Sequence, residues 1–179
     1  MPQLPKVSKK RISKLVDELN NEWDYGVLDH GKKIINTDNY DWSRYRTIPV
    51  ETLKKEKIGV CWDFVNYQHE ICKSLGLKDH SYLFTLQKSD DPDDIVTHTF
   101  TTYENNGKNY WIESAAWPKR GLHEITDYHD AIAELNDMYK NDGSKPYSVF
   151  EYDPEGMDKG LTDQEFFDRA TRKLVYDHK

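Results

Sequence analysis

The chain has 179 residues, 36% of them hydrophobic and 13% aromatic, the length of one domain with enough apolar material for a core. A formal net charge of −7 argues against a surface built for nucleic acid or an anionic membrane, because phosphate binding depends on clustered Lys and Arg and Lys9-Lys10-Arg11 is only a short run. No stretch reaches the apolar length of a membrane span and the first residues lack the apolar core of a signal peptide, so a cytoplasmic protein is expected.

From Ser8 to Trp23, Ile12, Leu15, Val16, Leu19 and Trp23 form an apolar stripe, with Ser8 placed to cap the helix and Gly26 just beyond its end. Such a helix packs on the body of the protein. Between Asp24 and Lys57 the chain reads as irregular and aromatic, with Tyr25, Tyr40, Trp42 and Tyr45 among polar residues and a short helix over Thr52 to Lys57.

The stretch Gly59-Val60-Cys61-Trp62-Asp63-Phe64 sets a cysteine in the first turn of a helix that runs to about Leu75, with Gly76 at the stop position. Unpaired backbone N–H groups and the positive end of the helix dipole favour a thiolate at such a position, and the thiolate is the nucleophile. Cys72 lies eleven residues on along the same helix. That is about 16 Å along the axis, whereas a disulfide needs Cα atoms within about 7 Å, so both thiols are expected to be free.

Ser81 to Gln87 reads as a strand. The acidic turn Ser89 to Asp94 lacks the glycine and distal glutamate of a calcium loop. Thr97-His98-Thr99-Phe100-Thr101-Thr102-Tyr103 and Tyr110-Trp111-Ile112-Glu113-Ser114-Ala115 flank an Asn106-Gly107 turn, which predicts a β-hairpin. If Asn105 pairs with Lys108, Phe100 stands opposite Glu113 and His98 opposite Ala115. His98, Phe100 and Thr102 then share a face with Trp111 and Glu113, making Glu113 the diagonal neighbour of His98, roughly 7–8 Å away between backbones. The expected contact is from Glu113 to His98 Nδ1, with Asp127 as the nearest downstream alternative.

Further on, Trp117 to Gly121 forms a turn and Thr126 or Asp127 caps a helix through about Lys140. Tyr147 to Tyr152 reads as a strand. Thr162-Asp163-Gln164-Glu165 is a capping box, with Leu161 and Phe166 as its hydrophobic staple, opening a last helix to about Tyr176.

The order Gly-x-Cys-Trp-Asp, a strand beginning with His, and an acid in the following strand resembles the transglutaminase-like group of the papain-like cysteine enzymes, and is most similar to small bacterial or phage-encoded members. The resemblance covers about Ile58 to Glu124. It maps the family's nucleophile onto Cys61, its histidine onto His98 and its acid, usually Asp, onto Glu113. This chain departs from the pattern in having Glu there, and in many members the acid falls at the place of Ala115. The family's residues upstream of the cysteine line the substrate cleft and help to hold the oxyanion. Trp42, upstream and with an indole N–H donor, is accordingly a substrate-binding candidate, against the plainer reading of a surface aromatic that anchors a loop, and Trp62, next to the cysteine, is the other candidate.

Each residue has a plainer reading. A cysteine at a helix start is most often a small buried apolar residue, and Cys72 is taken as that. Only partnership with Cys61 distinguishes His98 from His69, His80, His123, His129 and His178. Glu113 has the plainer reading of a surface charge on a strand, and the catalytic role is favoured over it. A zinc site from His69 and Cys72 lacks further ligands, and neither a metal nor another cofactor is expected.

The expected fold is α+β, one domain over residues 1–179: an antiparallel sheet with the Cys61 helix packed on it, a transglutaminase-like core at about 58–124, an N-terminal helix at about 8–23 and a C-terminal helix at about 162–176. The expected function is cysteine-dependent acyl transfer at an amide or peptide bond of a protein or peptide substrate, through Cys61, His98 and Glu113. The alternative is a catalytically silent binding module that keeps the fold.

Overall fold

The structure, a computed structural model, describes residues 9–91 and 93–177, with Tyr147 by its backbone alone. Its first helix, α1 (Lys9–Glu22), buries Ile12, Val16 and Leu19, the predicted stripe. The proposed cap, Ser8, lies outside the described residues.

Where the sequence reads as irregular, the chain makes three short strands: β1 (Asp24–Tyr25), β2 (Val27–Asp29) and β3 (Lys32–Ile34). The last two form a small hairpin, pairing Val27 with Ile34 and Asp29 with Lys32. Elements of two or three residues are too short to show a period. A 3-10 turn follows at Trp42–Arg44, then α2 (Val50–Glu56) and β4 (Ile58–Gly59), which pairs in parallel with β1.

Helix α3 (Cys61–Ser74) begins at the predicted cysteine. It packs against a six-stranded antiparallel sheet whose strands lie side by side in the order Leu174–Asp177, Lys145–Tyr152, Lys78–Gln87, Ile95–Asn105, Lys108–Glu113 and Gly121–Ile125. The central strands are β5 (Lys78–Gln87), β6 (Ile95–Asn105) and β7 (Lys108–Glu113). Asn105 pairs with Lys108 and Thr101 with Ile112, the predicted register. Asn106 and Gly107 both take positive φ, 54° and 74°, as a type I′ turn requires.

Beyond a 3-10 turn at Trp117–Lys119, Gly121–Ile125 is an edge strand, β8, that periodicity did not reveal. Helix α4 (Tyr128–Asn141), capped by Asp127, buries Ala131, Ile132 and Leu135 and packs against β9 (Lys145–Tyr152).

The C-terminal helix is shorter than expected. α5 (Asp163–Ala170) opens on the predicted capping box, Thr162 with Glu165, but stops at Ala170. Leu174–Asp177 is instead a strand, β10, on the free edge of β9. Leu174, Val175 and Tyr176 are strand formers, and an open row of backbone donors and acceptors on β9 outweighs continuation of a helix there. The architecture is thus mixed α and β, with five α-helices around a large antiparallel sheet among the described residues. No described helix is long and apolar enough to cross a membrane.

Candidate active site

The helix start that carries Cys61 is held by Asp63, which is fully buried. Its Oδ2 accepts the Val60 N–H at 3.1 Å and the Tyr45 hydroxyl at 3.0 Å, while Oδ1 accepts the Ile48 N–H at 3.0 Å. Burial raises this carboxyl to a pKa of about 7, against the pull of its three donors. Gly59 permits the tight approach: a Cβ there would stand 2.8 Å from Asp63 Cβ, closer than packed carbon atoms come.

His98, 4% exposed on β6, lies among aromatic rings, with Phe100 and Tyr139 at 6.5 and 5.9 Å between centroids. Its Nε2–H donates to Glu113 Oε2 at 2.9 Å. An ionised carboxylate only accepts, so the proton belongs to the nitrogen. The imidazole is also hydrogen-bonded to the Cys61 side chain, which leaves Nδ1 for the sulfur.

The predicted meeting of His98 with Glu113 is therefore present, but through the other nitrogen. Nδ1 lies next to the ring's own backbone, whereas Nε2 reaches outward. The carboxylate two positions along a neighbouring strand is the distant partner and meets the distal atom. Asp127, the downstream alternative, is half-exposed and bonded to His129.

Glu113 is 1% exposed, not a surface charge. Its second oxygen, Oε1, accepts the N–H groups of Ala115 and Ala116, each at 2.8 Å. Burial opposes its ionisation, but the His98 charge and these donors together hold it below the usual carboxylate range. Burial likewise disfavours the imidazolium, yet the Glu113 charge and the bond to Cys61 raise the His98 pKa to about 10. By contrast, burial, and after it the charge of Asp79, pushes the Cys72 thiol far up. Both cysteines are free.

A cavity of about 730 Å³ opens on Cys61. Tyr25, Trp42, Trp62 and Phe167 supply aromatic wall, Asp93 and Asp163 supply carboxylates, and no described Lys, Arg or His lines it. Trp62 is pinned by an indole N–H bond to Thr97 Oγ1 at 3.1 Å and by stacking on Phe166 at 4.2 Å, so it offers the cavity a fixed surface. Trp42 stands in the same wall, its ring against Tyr40 and Tyr45.

Sequence reasoning missed two residues here. Asp63 sits third in its helix, and an acid there reads as an ordinary first-turn charge. Tyr25 left no local signal at all. Parallel pairing of β1 with β4 sets it opposite Gly59, and its hydroxyl is in hydrogen-bonding contact with the backbone N–H and the side chain of Cys61.

No family model matches the sequence, and no curated protein matches it. Among solved structures, one similar chain is an arylamine N-acetyltransferase from Bacillus cereus whose crystal structure is described as revealing a unique Cys-His-Glu catalytic triad. The similarity spans 62% of this chain and 43% of that one, at 16% identity and a TM-score of 0.40.

Proposed function

We propose that this protein is a cysteine-dependent acyltransferase of the transglutaminase-like kind, acting on an amide or peptide bond, with Cys61 as nucleophile, His98 as proton carrier and Glu113 as the residue that orients His98. The observation that carries the reading is the buried hydrogen-bonded run from Glu113 through His98 to Cys61, ending on an open cavity.

In this reading a thiolate at Cys61 attacks the acyl carbon. The S–C bond forms and the carbonyl electron pair moves onto oxygen. When that pair returns, the leaving amine departs with the proton that His98 held. Glu113 stays ionised throughout, keeping the ring oriented and the imidazolium stabilised. Water or a second amine then releases the acyl group from sulfur. A wall with two carboxylates and no described cation favours neutral or cationic substrates over anionic ones.

The test is intact-mass spectrometry after exposure to an activated neutral ester such as p-nitrophenyl acetate. One acyl group on Cys61, absent in Cys61→Ser and in His98→Ala, supports the reading. A wild-type chain that never acylates returns the molecule to a binding module. Glutamine and peptide substrates, with and without added amine, then identify the acceptor.

A further inference from the structure

We propose that Tyr25 is a further catalytic residue of this site, its hydroxyl being the second donor, beside the Cys61 N–H, of an oxyanion hole for the acyl oxygen. The inference rests on the acyl-transfer reading and adds a residue to it.

The backbone fixes where Tyr25 stands. Asp24 N–H donates to the Lys57 carbonyl at 2.9 Å and Gly26 N–H to the Gly59 carbonyl at 3.0 Å, so Tyr25 is clamped on both sides beside the turn that delivers Cys61. Its ring meets Phe64 edge-on at 5.9 Å and 72°, fixing it against the first turn of α3. The residue is 41% exposed and shares the cavity wall with Cys61, while its hydroxyl end turns inward to the cysteine.

The hydroxyl meets two atoms that define where a tetrahedral oxygen must sit. An acyl carbon bonded to Cys61 Sγ holds its oxygen within reach of the Cys61 N–H, and Tyr25 touches both that N–H and the sulfur. As the carbonyl oxygen enters, it takes over the N–H, and the Tyr25 O–H turns from the sulfur to the oxygen. A donor must keep its proton: burial first, and then the charge of Cys61, hold the Tyr25 hydroxyl well above its ordinary range. The two tryptophans are otherwise placed. The Trp62 N–H is committed to Thr97, and Trp42 packs on Tyr40 and Tyr45.

Tyr25→Phe, which removes one oxygen and keeps the ring, separates two reactions of the same sulfur. Acylation by p-nitrophenyl acetate builds an oxyanion, whereas alkylation by iodoacetamide is a displacement that builds none. We expect the acylation rate constant to fall about 10²-fold further than the alkylation rate constant, whose own change measures what the sulfur loses with the Tyr25 hydrogen bond. Unchanged acylation, faster acylation, or equal losses in both reactions would each overturn the role. Failure of the wild-type chain to acylate at all sinks the underlying reading instead, and the two failures are thereby told apart.

Discussion

Glu113 divides its two oxygens between His98 and the chain that follows it: Oε2 accepts the imidazole N–H at 2.9 Å, and Oε1 accepts the Ala115 and Ala116 amides at 2.8 Å. The carboxylate therefore orients the ring and is itself oriented by backbone. Glu113→Gln should keep the shape and lose the charge, lowering kcat/KM for ester acylation by about 10²-fold or more while the fold persists. A variant acylating at the wild-type rate would assign Glu113 to the turn alone.

The His98 pKa of about 10 makes stability depend on pH with a definite sign. The folded value lies above the unfolded one of 6.5, so the contribution is whole below pH 6.5 and is lost as pH rises toward 10. Asp63, raised to about 7, gives the same sign at lower pH, and Cys72 joins only above its ordinary value of 9.0. Urea unfolding of Cys61→Ser between pH 7 and 9, where no thiol proton at that position offsets the one on His98, should thus show stability falling, with most of that slope gone when His98→Asn is added. A slope that survives the substitution contradicts the pairing.

Cys61 and Cys72 should differ in reactivity by an order of magnitude or more. Cys72 is fully buried with its thiol pushed far up, whereas Cys61 lines the cavity and bonds His98. Brief iodoacetamide treatment at mildly acidic pH, followed by peptide mass mapping, should label Cys61 first. His98→Ala should remove most of that lead. Equal, slow labelling in both chains would speak against an active thiolate–imidazolium pair.

Asp63→Ala should cost about 3–5 kcal/mol of stability, since it leaves the Val60 and Ile48 amides and the Tyr45 hydroxyl buried without their acceptor. Chemical denaturation measures this directly. A loss below about 1 kcal/mol would mean that other groups take over these donors.

What could be read in the sequence was local. The Asn106-Gly107 turn fixed the register of β6 and β7, and with it the side of the sheet on which His98 and Glu113 meet. The start of α3 followed from a small-residue turn before an apolar period. The ring nitrogen that meets Glu113 was not legible, because register settles faces and not atoms. β10 was misread as helix because an edge offered by β9, a distant strand, decides the matter. Asp63 and Tyr25 escaped for the same reason: their partners, Tyr45, Ile48 and Cys61, are brought to them by folding and not by spacing.

The two-residue pairing of β1 with β4 joins segments separated by more than thirty residues, while α3 is built from neighbours. Loop closure is the slower and entropically dearer event. The place of Tyr25 beside Cys61 therefore depends on tertiary pairing, whereas the place of Cys61 at a helix start is set by its neighbours in sequence. If Tyr25 serves the acyl oxygen as proposed, acyl transfer requires this long-range pairing as well as the helix that carries Cys61.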